Sequence, residues 1–352
     1  MILIIGAGLS GLLIAYRLKQ AGVPFKILEA RDRIGGRINT IYGTNTAPIE
    51  MGATWFMPSH LNVIKLLNEL DINYFEQSMD SKVFYEASPT SALQLVQIPS
   101  QAPSFRISGG SSHLINILFK ALNETDVLYN QSVKQIMIQE NYVEVNAEHT
   151  HEGDTVVLAI PPKLWATHIT FTPQLPAQLM EIALQTQTWM EDSIKLAITY
   201  SQPFWKQKKS SGTLFSNKGP ISEFYDQSNH ANSKYALCGF INASLKQLTE
   251  EERREKVITQ LKSMYGKQAE EFTSYEECVW SKEEHTFIAS DTFLSPHQNN
   301  GHSIYSTHFF DDKLLISSSE VASQFPGYME GAIVSAQTTA EKLIKAHQSA
   351  LI

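Results

Sequence analysis

Cysteine is scarce: Cys238 and Cys278 are the only two in 352 residues, each inside a strand-like run, YALCGF and YEECVW. Two thiols so far apart exclude a disulfide framework and read as buried free thiols in a reducing compartment. No stretch approaches the ~20 consecutive apolar residues of a membrane span. The start of the chain shows no basic leader, because its apolar run leads straight into a glycine loop, and the expectation is a cytoplasmic protein with no membrane anchor. Positive charge is in deficit, with 28 Lys and Arg against 36 Asp and Glu and a net charge of -8. Nucleic acid and anionic membranes need a basic surface, which leaves a small molecule as the expected partner. Internal repeats and a G-x-S-x-G elbow are also missing, so nothing favours a serine hydrolase. The histidines are scattered, and His149 with His151 have no clustered carboxylate or thiol nearby; no metal is expected.

What is present is an ordinary globular composition, 43% hydrophobic and 18% charged. The length suits two domains. The chain opens MILIIGAGLSGLLIAYRLKQAG. ILII reads as a buried parallel strand, LSGLLIAYRLKQAG as a helix ending at Gly22, and FKILE (25–29) as a second strand closed by Glu29. Gly6, Gly8 and Gly11 form G-x-G-x-x-G in the turn between the first strand and the helix, with Ser10 inside the motif. Such a turn brings a pyrophosphate against the N–H groups of a helix N-terminus. Glu29 stands close to the ~20-residue spacing of the ribose-binding acid in a Rossmann unit. A carboxylate there suits a free 2′-hydroxyl and repels a 2′-phosphate. These residues predict a bound dinucleotide, with NAD and FAD both open. The next stretch, EARDRIGGRINT, sets Arg31, Arg33 and Arg37 around a glycine pair, Gly35 and Gly36, a natural second clamp on a pyrophosphate or else a surface loop with solvated arginines.

GAGLSGL, EARDRIGGR and EMGATWF (50–56) together resemble the flavin-dependent amine oxidases. The likeness continues through FRISGGSSHLINIL (105–118), SVKQI (132–136), VVLAIPPKLW (156–165), SIKLAITYSQPFW (193–205) and FPGYMEGAI (325–333). It implies FAD, held noncovalently because no cysteine lies near Ala289, where some members attach the flavin. It implies that Gly52, Ala53, Thr54 and Trp55 lie beside the flavin, that the Val133 main chain meets the adenine, and that Glu320, in SSSE, lies near the sugar-phosphate part. Serines around Glu320 depart from the family's small residues. Trp280 matches a family tryptophan near the cofactor. GYMEGAIVSAQTTAEKLIKAH reads unaided as a helix, and the resemblance puts Tyr328 and Met329, at its N-terminus, against the flavin pyrimidine, where N–H groups stabilise negative charge.

Lys195 interrupts the apolar alternation of SIKLAITY. The pattern leaves two placements: outward in solvent, or inward at a cost that a partner or bound water must offset. By resemblance it is the inward lysine that holds a water against flavin N5. Tyr328 matches one wall of the family's two-ring amine cage. The second wall is missing from its place in WSKEEHTFIASD, where Ile288 and Ser290 stand, leaving Phe287 or His285 as substitutes. Between FYEA (84–87) and FRISGG the family carries a long helical roof, and here there is only SPTSALQLVQIPSQAPS. The consequence is a shallower, wetter site, or one completed by another subunit. Two further stretches read as scaffold: TEEERREKVITQLKSMYG, a helix opened by a Thr249/Glu252 capping box with a solvated charged face, and KQKK (206–209), an exposed turn.

The expected fold is α/β: a Rossmann-like FAD-binding domain (1–55, 106–160, 285–352) with a second, α+β substrate domain (56–105, 161–284). The expected activity is FAD-dependent oxidation of a small amine to an imine, then aldehyde and ammonia, by hydride transfer to flavin N5, with O2 reoxidation to H2O2. Two alternatives remain at this point: a renalase-like or desaturase-like flavin enzyme acting on a non-amine, and a non-catalytic FAD-binding protein.

Overall fold

The computed structural model describes residues 1–350 apart from 45, 78, 80, 81, 100, 101, 208–210 and 290–292. Five parallel strands form one sheet in the order Val127–Leu128, Phe25–Leu28, Ile2–Ile5, Thr155–Leu158 and Leu314–Ile316. Ile2–Ile5 is apolar throughout and buried throughout, as a strand covered on both faces must be. It leads into the Leu9–Gln20 helix, which stops at Ala21 and Gly22, where Gly22 takes φ +71°. That left-handed glycine ends the helix as expected. The Met329–Ser349 helix packs beside it, joined by the Ser10 hydroxyl to the Ala332 carbonyl at 3.2 Å. The first core cluster lies here, with Leu12, Leu13, Ile14, Ile333 and Ala336 inside it. It also takes in Val63, Leu66 and Leu67 of the Leu61–Glu69 helix.

A seven-stranded sheet runs Phe272–Val279, Ile194–Tyr200, Tyr235–Ile241, Ile221–Asp226, Leu214–Ser216, Lys82–Glu86 and Gln94–Gln97. One face is covered by the Glu250–Tyr265 helix, whose Val257, Leu261 and Met264 pack on Ile194, Leu196 and Ile198. The other face is covered by the small Thr40–Ile41 and Ile49–Glu50 hairpin, where Ala197, Ala236 and Cys238 meet Ala47, Ile49 and Met51. All seven residues of Ile194–Tyr200 are therefore buried.

The Thr249/Glu252 capping box forms in both directions. Its helix departs from the solvated reading at one residue: Arg253 is 2% exposed and forks onto Glu277, an ion pair that ties the helix to the sheet. Within KQKK, Lys206 and Gln207 end a short helix, Phe204–Gln207, while residues 208 and 209 lie outside the described residues. Cys238 and Cys278 lie on the two strands flanking Ile194–Tyr200, Cys238 buried and Cys278 half-buried. Among the described residues, no helix is long and apolar enough to cross a membrane.

Candidate active site

The C-terminal ends of the parallel strands open into a cavity of about 600 Å³, where Ile5, Leu28, Ala159 and Ser318 all face it. Ile2–Ile5 sits between Phe25–Leu28 and Thr155–Leu158, the point where strand order reverses and open α/β sheets bind ligands. The three glycines of the first loop do different things. A Cβ on Gly6, which has φ +102°, would meet Ile160 at 2.6 Å, and one on Gly11 would meet the Gly6 carbonyl oxygen at 2.0 Å. Gly8 has nothing within 4 Å and borders the cavity. Two of the glycines thus let the chain close on itself, and the third leaves room for a ligand against the backbone.

Glu29, 5% exposed, accepts from Ala7 N–H at 2.7 Å and Arg31 N–H at 2.9 Å, so its carboxylate is fixed at the cavity edge by the loop itself. The second glycine pair docks on the first loop through Gly35 N–H to the Ala7 carbonyl at 2.9 Å. Arg37 forks onto Glu320 at 2.6 and 3.0 Å and reaches Ser319 at 2.9 Å. Burial alone raises the Glu320 carboxyl, but the Arg37 charge and hydrogen bonds hold it below the usual carboxylate range. Arg31 turns to Thr286 and Glu283, and Arg33 to the carbonyls of Ile34 and Gly36.

Most residues singled out in the sequence come together here. Gly6, Gly8, Ser10, Glu29, Arg31, Gly35, Gly36 and Arg37 line the cavity with Gly52, Ala53, Thr54, Trp55, Val133, Lys195, Trp280, Tyr328 and Met329. Gly11 and Glu320 do not; Gly11 packs under the loop, and Glu320 lies fully buried behind Arg37. The indole N–H of Trp280 donates to the Met51 carbonyl at 2.7 Å, holding the strand that leads to Gly52.

Lys195 is 2% exposed and points into the cavity. Its ammonium lies 4.4 Å from the Trp55 ring centre and 4.5 Å from that of Phe240, and donates to Thr54 Oγ1 at 2.9 Å and the Gly52 carbonyl at 3.3 Å. Two aromatic faces and two oxygens offset the desolvation of the cation. The outward placement is excluded because both faces of its sheet are covered. Behind it, burial raises the Glu50 carboxyl, against the pull of Thr40, Ser111 and the Lys195 charge.

The rings beside Tyr328 are Trp189 and His297, each 5.7 Å away, and His60 at 5.8 Å. Trp189 and His60 line the cavity, as does His285, whereas Phe287 does not; Ser290 lies outside the described residues. Sequence reasoning missed Trp189, His60, Glu223, Tyr225 and Phe240, all in the lining. For Glu223 and Phe240 a signal existed, since each faces the same side of the sheet as Lys195 once the strands are registered, but the register itself is not in the sequence.

The lining fits FAD. Its loop end has a backbone cradle open at Gly8 and a carboxylate, Glu29, anchored by the Ala7 and Arg31 N–H groups, while the Arg37 guanidinium stands at the same cavity. Neither cysteine lines the cavity. Tyr328 is 37% exposed and Met57 52%, and both line the cavity.

A family model described as flavin containing amine oxidoreductase matches residues 9–104 and 86–344. Among curated proteins, a probable flavin-containing monoamine oxidase A of Dictyostelium discoideum is 24% identical over 95% of this chain and 95% of its own. The flavin-containing amine oxidase B of Homo sapiens is 22% identical over 98% of this chain and 86% of its own. Those alignments run over 441 and 451 residues, more than the 352 of this chain, so the relatives carry segments that it lacks. Among solved structures, a putrescine oxidase bound to putrescine matches with a TM-score of 0.84 at 22% identity, over 98% of each chain. A cyclohexylamine oxidase from Brevibacterium oxydans matches with 0.86 at 18%, over 99% of each. At such identities the likeness to solved structures is one of fold.

Proposed function

The chain belongs to the flavin-containing amine oxidoreductase family, whose cofactor is FAD, and from that membership we propose that it oxidises a small amine to an imine, which water converts to aldehyde and ammonia. Bound FAD supplies a two-electron acceptor for the hydride of the amine-bearing carbon, with O2 as the final acceptor and H2O2 as its product. The carrying observation is the Lys195 ammonium, held against the Trp55 and Phe240 rings in the same cavity as the dinucleotide loop.

Lys195 has three N–H donors, of which Thr54 and Gly52 take two, leaving one for a water or for oxygen in the cavity. Its positive charge also disfavours an ammonium beside it, so the reacting amine is held neutral, with its lone pair available. Tyr328 orients that amine, with Trp189 rather than Phe287 or His285 as the neighbouring ring. Gly8, Glu29, Arg37 and the first turn of the Met329–Ser349 helix hold the cofactor. Glu320 acts through Arg37, as the residue that positions it. FAD is proposed to be noncovalent, since neither thiol reaches the cavity, and the two unpaired thiols favour the cytoplasm. The proposed two-domain division is supported by the separate cores of the five-stranded and seven-stranded sheets, with Leu61–Glu69, placed in the substrate domain by the sequence, packing instead on the nucleotide side.

The test is anaerobic titration of the purified yellow protein with a panel of amines, read as loss of the oxidised flavin spectrum. Bleaching by amines and flavin release on acid precipitation are expected. A spectrum untouched by every amine, with rapid bleaching by a dihydropyridine, would instead point to the renalase-like reading.

A further inference from the structure

Beyond Lys195 the same sheet face carries a second charged group, of opposite sign. Glu223 pairs in register with Phe240, and Phe240 with Lys195, so the carboxylate and the ammonium stand on three adjacent strands with the Phe240 ring between them. Two inter-strand steps separate their backbones, about 10 Å. Tyr225, two residues along the same strand, closes the group, with its ring centre 5.1 Å from that of Trp55. Glu223, Tyr225, Phe240 and Trp55 all face the cavity. The Tyr225 hydroxyl donates to Glu223 Oε2 at 2.7 Å, which fixes the carboxylate. Among the described residues Glu223 has no ion-pair partner.

We infer that Glu223, with Tyr225, Phe240 and Trp55, forms a subsite for a protonated second basic group, so that the substrate class is an amine carrying a distal ammonium, such as an α,ω-diamine. This rests on the amine-oxidase reading and deepens it. The two ends of the pocket have opposite preferences. Beside Lys195 a cation is repelled and only a neutral amine fits. Beside Glu223 a cation gains a charge-assisted hydrogen bond and aromatic faces, whereas an alkyl terminus leaves the carboxylate facing a desolvating chain. A molecule with one amine at each end satisfies both, and the order of its two protonation states sets its orientation. The net charge of -8 draws such a cation toward the protein as a whole.

The experiment compares straight-chain monoamines with α,ω-diamines of three to six methylenes on the FAD-loaded protein, by peroxide production and by anaerobic flavin reduction. Diamines of one or two lengths are expected to exceed the matched monoamine at least tenfold in kcat/KM, chiefly through KM. Glu223→Gln should shrink that ratio by roughly tenfold to hundredfold, the size of a lost hydrogen bond to a charged group. Glu223→Asp, which keeps the charge, should retain part of it. Flavin content and Tm of each variant report folding. Equal wild-type kcat/KM for mono- and diamines overturns the subsite, as does a Glu223→Gln protein that holds flavin and keeps the preference. If no amine reduces the flavin, the oxidase reading fails separately. The subsite is then judged by titrating 1,4-diaminobutane and watching the bound flavin spectrum, where a perturbation lost in Glu223→Gln supports it and no perturbation in the wild type overturns it.

Discussion

Single side chains decide what the cavity can do, and Lys195 is the plainest case. Replacing it with Met keeps the length and apolar stem between Trp55 and Phe240 while removing the charge. Because a buried cation returns little net stability, Lys195→Met should leave Tm within a few degrees of wild type and flavin content unchanged. Turnover, or flavin reoxidation followed by stopped flow, should fall at least tenfold; unaltered rates would remove its proposed role. Gly11 sits at the other extreme. Its substituent would collide with the Gly6 carbonyl, a backbone atom that cannot step aside, so Gly11→Ala should destabilise by about 3 kcal/mol and yield protein with little flavin. Its effect is structural although it touches no ligand.

At the scale of elements, the joint between two helices governs the mouth of the site. The Leu61–Glu69 helix begins at His60, which offers it no side-chain cap. Its free N–H groups are met by Glu330 instead, from the first turn of the Met329–Ser349 helix: Asn62 N–H at 3.0 Å and Val63 N–H at 2.8 Å. One buried carboxylate thus serves the dipoles of both helices, at the N-terminus of each. Glu330→Ala should cost about 2 kcal/mol, measured by denaturant unfolding. Since His60 and Met57 at that helix start line the cavity, KM for amines should rise while the affinity for FAD changes less. The Arg253 fork onto Glu277 does the same work on the opposite face of the seven-stranded sheet, where a run of charges that looks wholly solvated hides one buried member.

For the whole molecule, packing creates a group that titrates near neutrality. Glu191 is 8% exposed, and burial, offset in part by Lys163 at 3.9 Å, pushes its carboxyl from the usual 4.5 up to about 7. The folded protein therefore keeps a proton that the unfolded chain gives up. Stability from this group is full below about pH 4.5 and is lost as pH rises toward 7, on the order of 2 kcal/mol in all. The Tm difference between wild type and Glu191→Gln should widen in favour of the variant between pH 5 and 8; a constant difference would contradict the assignment.

The N-terminal strand, glycine loop, helix and Glu29 were legible because everything that specifies them lies within thirty residues and follows local rules of turn, cap and period. The terminal helix and the capping box at Thr249 were legible for the same reason. Local sequence determined that this chain binds a dinucleotide and where its loop closes. Which way Lys195 points, what stands beside Tyr328 and that Glu223 shares a sheet face with Lys195 were settled only by strand register and sheet packing. Such contacts join residues far apart in the chain, and register depends on the summed burial of whole strands rather than on any one segment.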